Sequence, residues 1–170
     1  MPSQDPKLEI NQRFGGVMLN TLTWFQSAIP IPTMESATGQ IGVHFEEVAE
    51  MLEELSSNYP ETVDKIQQAT HAMKELATHL KNNRHVLNAN MNDSLLLDSL
   101  CDQLVTGIGV AYQLDLPIID GLHEVNMSNW SKFEKGVPVF QPNGKIAKGK
   151  NYRPPNLDEV LLAYRSQKEA

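Results

Sequence analysis

The run from Leu95 to Leu116 is mostly apolar, yet its first half carries two carboxylates, Asp98 and Asp102, four residues apart. At about 100° per residue, the run predicts a helix with both acids on one stripe and apolar side chains over most of the remaining surface. Such a helix is normally largely buried, and buried carboxylates are rare unless they are paired or bound to a metal. No Lys or Arg lies in the run. The pattern therefore predicts either a metal site or an amphipathic helix whose acids face water.

A second acidic group lies upstream, on a helix predicted over 38–56 that contains no Lys or Arg. Like charges at i,i+4 destabilise a helix by about 0.2–0.5 kcal/mol per pair, and a bound cation would turn that cost into an attraction. A solvated outer face is the alternative interpretation. Because the candidate ligands are carboxylates without a thiolate or a His pair, they suit Mg²⁺ or Mn²⁺ better than Zn²⁺. The five acids are Glu46, Glu47, Glu50, Glu53 and Glu54.

The hydropathy pattern predicts an all-α protein. Helices are expected over 8–27, 38–56, 60–82, 95–115, 117–133 and 157–165, with a buried stripe of Ile41, Phe45, Val48, Leu52 and Leu55 on the second. Short connections favour an antiparallel four- to five-helix bundle. We expect residues 1–133 to form the bundle that carries the metal site. Residues 134–170 are expected to form an irregular basic tail with a short terminal helix, within the same domain. Because the core of such a bundle is small, a homodimer or homotetramer is expected.

Charge and composition restrict the function. The net charge of −7 argues against a nucleic acid polymer as the main partner. Residues 132–153, however, carry six basic residues and one acid, which would suit a polyanion next to an acidic metal site. The first seven residues are polar, and the two aspartates interrupt the best candidate for a membrane span. A soluble, cytoplasmic protein without a membrane partner is expected, and the single cysteine excludes an internal disulfide.

Three motifs in order resemble those of one family. Glu46-Glu47-Val48-Ala49-Glu50 is followed, one predicted hairpin later, by the Asp98 and Asp102 pair. The combination resembles the MazG-like all-α nucleoside triphosphate pyrophosphohydrolases, whose E-E-x-x-E helix faces an acidic pair on a later helix. The segment 123–132 (HEVNMSNWSK) is similar to the E-V-x-x-S-N-x-S-K stretch of the phage and bacterial branch. The segment 144–152 (GKIAKGKNY) is similar to the G-K-x-x-K-G-x-x-Y tail of that branch.

Two departures accompany the resemblance. The second acidic pair of the family is usually E-x-x-D, whereas here the aspartates are four residues apart, so Asp102 is the closer match and Asp98 the less close one. The family often has an Arg shortly before its acidic helix, where this chain has Gln40-Ile41-Gly42. A phage group within the family, the MazZ type, acts on guanine deoxynucleotides, and the motifs leave membership in that group open.

The resemblance implies hydrolysis of a nucleoside or deoxynucleoside triphosphate to the monophosphate and pyrophosphate. It implies that Glu47, Glu50, Asp98 and Asp102 hold more than one Mg²⁺ or Mn²⁺ ion. Glu46 and Glu47 are the implied catalytic residues, with Glu46 orienting or deprotonating the attacking water. If the chain is encoded by a phage, it would work in the host cytoplasm. The implied nucleotide and phosphate contacts are Asn126, Asn129, Lys132, Lys145, Lys148, Lys150 and Tyr152.

Two other interpretations remain open. A non-enzymatic helical dimerisation or adaptor domain would carry the same acids as a solvated face, and it predicts no stabilisation by divalent ions. A phosphoribosyl-ATP pyrophosphohydrolase would share the fold and the metals, and only a panel of substrates separates it from the first interpretation. A P-loop nucleotide site is not expected, because the chain has no G-x-x-x-x-G-K-[ST] motif.

Overall fold

A computed structural model describes residues 6–141 and 146–169, with side chains described from residue 12 onward. The described part of the chain is all-α, as predicted, and its extended segments are limited to isolated bridges. The helices are α1 (Pro6–Ala28), α2 (Met34–Glu53), α3 (Pro60–Asn82), α4 (Asp93–Gln113), α5 (Ile118–Trp130) and α6 (Leu157–Glu169).

The helices divide between two compact units. The hairpin unit is Ile31–Asn92 and contains α2 and α3. The terminal unit combines the chain up to Pro30 with the chain from Asp93 onward, and it contains α1, α4, α5 and α6.

In the hairpin unit, α2 and α3 approach each other through small residues. A Cβ atom at Gly42 would lie 2.9 Å from the carbonyl oxygen of Ala77, so only glycine fits at this crossing. The fully buried positions of α2 are small residues, and the predicted apolar stripe is half-buried at Ile41, Phe45, Val48 and Leu52 and exposed at Leu55. The prediction of the buried face was wrong because close backbone approach favours small side chains over large ones at the seam. The buried residues of α2 are Thr38, Gly39, Gly42 and Ala49.

The ends of these two helices follow local signals to different degrees. Proline at the first position starts α3 at Pro60, and the helix ends at Asn82, as predicted. By contrast, α2 begins at Met34, four residues before the predicted start. The reason is a capping box, in which the Thr33 side chain accepts from the Ser36 backbone N–H and the Ser36 hydroxyl accepts from the Thr33 N–H.

The terminal unit has a small aromatic core at the junction of α1 and the segment after α5. Trp24, Ala28 and Phe133 are buried, and the Trp24 and Phe133 ring centroids are 6.0 Å apart. The indole N–H of Trp130 donates to Asn20 Oδ1 at 2.7 Å, which ties α5 to α1. Trp24 therefore packs in the core.

The C-terminal helix is anchored to the end of α4. Asp115 has a left-handed backbone (φ 57°), and the N–H of Leu116 donates to the carbonyl of Ala111, which terminates α4. The Asp115 carboxylate accepts from Lys168 and from the Tyr164 hydroxyl of α6. These bonds, that to Lys168 first, lower the pKa of Asp115. The terminal helix runs four residues further than predicted.

The helix α4 is more exposed than its sequence predicts. Ala111 is its one buried residue, and its leucines are exposed by between 40 and 63%. By length and composition alone, α4 is also apolar enough to cross a membrane, although both aspartates lie within it. The expectation of a largely buried helix was wrong for the single chain, because periodicity reports which faces are apolar and not what covers them.

We predict that Gly42→Ala destabilises the protein by about 1–3 kcal/mol, since the added methyl would force α2 and α3 apart. The matched control is Gly109→Ala on α4, where nothing lies within 4 Å of the new Cβ. This change should stabilise the helix by up to about 1 kcal/mol. Urea unfolding followed by circular dichroism measures both, and equal effects of the two changes would contradict the close approach.

Candidate functional site

Two of the five acids of the glutamate cluster form ion pairs with α3. Glu46 accepts from the amine of Lys81, and Glu53 accepts from the amine of Lys74. Seven residues separate the two glutamates, as they do the two lysines, so each set falls on one face of its helix along the seam. Two lysines of α3 therefore relieve the repulsion between carboxylates that the sequence predicts within α2. One of them, Lys81, holds Glu46 in place.

Glu50 has a different environment. Its side chain is exposed, and its carboxylate forms no hydrogen bond or ion pair with any residue in the described ranges. Glu47 is exposed as well. The two predicted metal ligands on α2 are thus exposed, whereas Glu46 is half-buried and paired with Lys81.

Asp98 and Asp102 lie on the exposed surface of α4. Neither carboxylate has a cationic or hydrogen-bonding partner among the residues whose side chains are described, 12–141 and 146–169. Glu46, Glu47 and Glu50 belong to the hairpin unit, whereas the two aspartates belong to the terminal unit. Within neither unit do three or more His, Cys, Asp or Glu residues of the described chain cluster as metal ligands would.

Asn126 is buried between α5 and α1. Its side chain is 1% exposed, its Nδ2 donates to the Val17 carbonyl at 3.0 Å, and its Oδ1 accepts from the Thr21 hydroxyl at 3.0 Å. A buried amide with both of its polar atoms bonded serves the packing of two helices. The structure thus favours a packing role for Asn126 over a nucleotide contact.

The second and third motifs of the sequence come together in space. The Ser128 hydroxyl donates to the Arg153 carbonyl at 2.8 Å, and the Ser131 hydroxyl accepts from the Arg153 N–H at 2.9 Å. Glu134 accepts from the backbone N–H of Lys150 at 3.0 Å. We call this contact between residues 128–134 and 148–153 the α5–tail junction. The serines of the motif hold the tail against the end of α5.

Basic side chains gather at the α5–tail junction. Lys132 donates to Asn129 Oδ1 at 2.7 Å, and its amine lies 5.8 Å from the centroid of the Trp24 ring. The amine of Lys148 lies 4.9 Å from the Tyr152 ring centroid. The Lys150 side chain is exposed. The structure thus brings five of the predicted nucleotide contacts to one place (Asn129, Lys132, Lys148, Lys150 and Tyr152), while Lys145 lies outside the described residues.

Glu124 is a residue that sequence reasoning missed. Its carboxylate accepts from both terminal nitrogens of Arg153 and from the Asn156 N–H at 3.0 Å. These bonds, with Arg153 the larger cause, lower the pKa of Glu124 from an ordinary 4.5 to about 2. The signal in the sequence that could have identified Glu124 is its position as the first residue of the E-V-x-x-S-N-x-S-K stretch. Glu124 holds the tail through the guanidinium of Arg153, whereas Ser131 holds it through the backbone N–H of the same residue.

Two clefts lie away from the predicted site residues. One, of about 490 Å³ in the terminal unit, is lined by Arg13, Asp120, His123 and Glu124 among others, and its arginines are paired with acids. The other, of about 690 Å³ in the hairpin unit, lies between Leu52, Val63 and Ile66.

We predict that Asn126→Ala lowers the free energy of unfolding by about 1–3 kcal/mol, since it removes two buried hydrogen bonds between α1 and α5. The matched control is Asn129→Ala, three residues later, where the side chain is half-buried and bonds Lys132. This change should stay within about 0.5 kcal/mol of the wild type. Unchanged stability of the Asn126 variant, combined with a raised KM, would instead favour a nucleotide contact.

A second prediction concerns pH. Because the pKa of Glu124 is lowered on folding, its ion pair stabilises the protein above about pH 4.5, and this contribution disappears as the pH falls toward 2. Glu124→Gln should therefore be less stable than the wild type at pH 6 and about equally stable near pH 2. Denaturant titrations across this range measure the difference. Glu54→Gln, an exposed acid of the hairpin unit, should show no such convergence.

No protein-family model, no curated protein and no solved structure matches the chain.

Proposed function

We propose that this chain is a divalent-metal-dependent pyrophosphohydrolase with a MazG-like helical bundle, which cleaves a nucleoside or deoxynucleoside triphosphate to the monophosphate and pyrophosphate. The observation that carries the proposal is the state of Asp98 and Asp102, two carboxylates that share one stripe of a mostly apolar helix and have no partner among the side chains that the structure describes. The order of the motifs also supports the proposal, because Asp98 and Asp102 follow the Glu46–Glu50 motif along the chain.

The donor set fits a hard cation. Glu47, Glu50, Asp98 and Asp102 offer exposed carboxylate oxygens, the ligands that Mg²⁺ and Mn²⁺ prefer. The carboxylate of Glu46 forms an ion pair with Lys81 and is not among the proposed ligands. When bound, the ions would neutralise charge on the phosphate oxygens and lower the pKa of a coordinated water.

In this proposal, Glu46 acts on water. Lys81 engages Oε1 of Glu46 and leaves Oε2 to accept a proton from the attacking water. The water oxygen forms a bond to the α-phosphorus, the bond from that phosphorus to the α–β bridging oxygen breaks, and pyrophosphate leaves. Such a reaction needs positioning and charge neutralisation more than covalent participation by the protein.

Cationic side chains would bind the outer phosphates. The α5–tail junction supplies Lys132, Lys148 and Lys150, which act on phosphate as point charges. In the hairpin unit, the Arg84 guanidinium lies against Gly39, with Cζ 3.0 Å from a Cβ placed there. Arg84 offers a cation close to where the family often has an Arg before its acidic helix.

One observation favours a second candidate function. The exposed apolar surface of α4 is what a helical dimerisation or adaptor domain would present. That candidate predicts no turnover and no stabilisation by Mg²⁺. A phosphoribosyl-ATP pyrophosphohydrolase would use the same acids, and it is distinguished by including phosphoribosyl-ATP in the substrate panel.

We expect the pure protein, incubated with each NTP and dNTP plus Mg²⁺ or Mn²⁺, to release monophosphate and pyrophosphate, identified by chromatography. Glu50→Gln and Asp102→Asn should each lower kcat/KM by at least about 100-fold, because loss of a ligand should cost no less than loss of a residue that orients one.

The controls are neutralisations on the same helices. Glu54→Gln at the C-cap of α2 and Asp93→Asn at the start of α4 should retain activity, since neither residue belongs to the proposed ligand set. Release of diphosphate and inorganic phosphate would contradict the assigned bond cleavage. Absence of turnover on every nucleotide, with no thermal shift from Mg²⁺, would favour the adaptor function.

A further inference from the structure

One face of the C-terminal helix α6 lines the 490 Å³ cleft of the terminal unit, which we call the α6 cleft. Four residues of the helix recur at the spacing i, i+3, i+4 and i+7, so they share that face. The cleft is also lined by Arg13 of α1 and by Asp120 and His123 of α5. The four residues of α6 are Val160, Ala163, Tyr164 and Gln167.

The packing of α6 within the terminal unit is weak. Across its described length, Leu157–Glu169, the helix has no buried residue. Its apolar contact with α5 is at its first residue, where Cδ2 of Leu157 lies 3.9 Å from a Cβ placed on Gly121. By contrast, buried Asn126 joins α5 to α1. An element with few buried apolar contacts opens at a lower free energy than the core of its domain, so α6 can separate while α1 and α5 stay packed.

The start of α6 is held by a well-enclosed carboxylate. The Glu124 side chain is only 17% exposed, and it accepts from both terminal nitrogens of Arg153 and from the backbone N–H of Asn156. The Asn156 side chain also caps the helix, since its Oδ1 accepts from the Glu159 N–H at 3.3 Å and its Nδ2 donates to Glu159 Oε2 at 2.9 Å. The first turn is therefore fixed both to α5 and to the segment before the helix.

The far end of α6 is held by a solvent-exposed carboxylate. Asp115, at the end of α4, accepts from the Lys168 amine and from the Tyr164 hydroxyl at 2.9 Å. The side chains of Asp115 and Lys168 are 63% and 50% exposed. Ion pairs between exposed groups contribute little to stability and are weakened by salt, whereas enclosed pairs are screened much less. The two ends of α6 are thus held with unequal strength.

We propose that α6 is a hinged wall of the α6 cleft, which stays attached at Glu124, releases at Asp115 and swings as one helix to open the cleft along α1 and α5. All residues that carry this proposal belong to the terminal unit, and the proposal does not depend on the proposed catalytic function. The volume of the cleft lies within the range of about 300–1,000 Å³ that is usual for small-molecule sites. The hinge would therefore control access to a cavity of ligand size.

The test is amide hydrogen exchange of the full-length protein, followed by mass spectrometry, with Asp115→Asn as the variant. Asparagine tolerates the left-handed backbone at this position (φ 57°), so the end of α4 should be retained, and circular dichroism verifies the fold. The matched control is Asp93→Asn, which removes the same charge at the opposite end of α4.

We expect Asp115→Asn to raise the exchange rate of the amides of residues 160–163, in the middle of α6, by at least about threefold. The amides of Arg153 and Asn156 should keep their wild-type rates, because Ser131 and Glu124 still accept from them. The amides of α1 and α5 should also be unchanged, and Asp93→Asn should match the wild type throughout.

Salt provides a second measurement that needs no variant. Raising NaCl from about 0.1 to about 1 M shortens the Debye length from about 10 to about 3 Å. It should accelerate exchange at residues 160–163 of the wild type, and it should do so less in Asp115→Asn, where the ion pair with Lys168 is already lost.

Four results would overturn the hinged wall. Acceleration confined to residues 166–169 would mean that only the last turn frays. Equal loss of protection at Arg153 and Asn156 would mean that α6 detaches completely, and equal acceleration in α1 and α5 would mean that the whole unit unfolds. Exchange at residues 160–163 that responds neither to Asp115→Asn nor to salt would mean that Asp115 does not hold the helix.

Discussion

The close approach of α2 and α3 is the constraint on which the acidic surface depends. Glycine at position 42 lets the helix backbones come together, and at this spacing Lys81 and Lys74 of α3 reach Glu46 and Glu53. The pairs divide the glutamate cluster into acids that the hairpin neutralises and acids, such as Glu50, that it leaves exposed. A larger residue at the seam would move the lysines away, and it would thereby change which carboxylates remain available to a cation.

In the terminal unit, α5 has a comparable role because two of its faces contact different neighbours. Asn126 joins the helix to α1 in a buried position, while Glu124 and Ser131 hold Arg153 of the tail. The tail is therefore fixed by hydrogen bonds to its backbone and leaves Lys148 and Lys150 directed outward. Positive charge is thus displayed on a segment without regular secondary structure, which hydrogen bonding keeps in place.

Local signals predicted much of the secondary structure and less of the packing. Proline fixed the start of α3 at Pro60. The predicted start of α2 was four residues late, because the prediction did not include the Thr33–Ser36 capping box. The all-α class was predicted correctly. The buried face of α2 was predicted incorrectly. The prediction ranked side chains by hydropathy, whereas the close approach of α3 requires small side chains at the buried positions. The sequence indicated the candidate acids. It did not indicate the role of Glu124 in holding the tail, because the partner of Glu124, Arg153, is distant along the chain.

The sequence by itself determined which segments are helical, that Asp98 and Asp102 share a stripe opposite an apolar face, and that the glutamates of α2 cluster. These are consequences of spacing along a helix and need no neighbour. Only the tertiary structure decided that Glu46 is paired and Glu50 is not, that Asn126 is buried, and that α4 presents its leucines to solvent. Pairing and burial depend on which elements meet, and that is set by the long-range contacts of the fold.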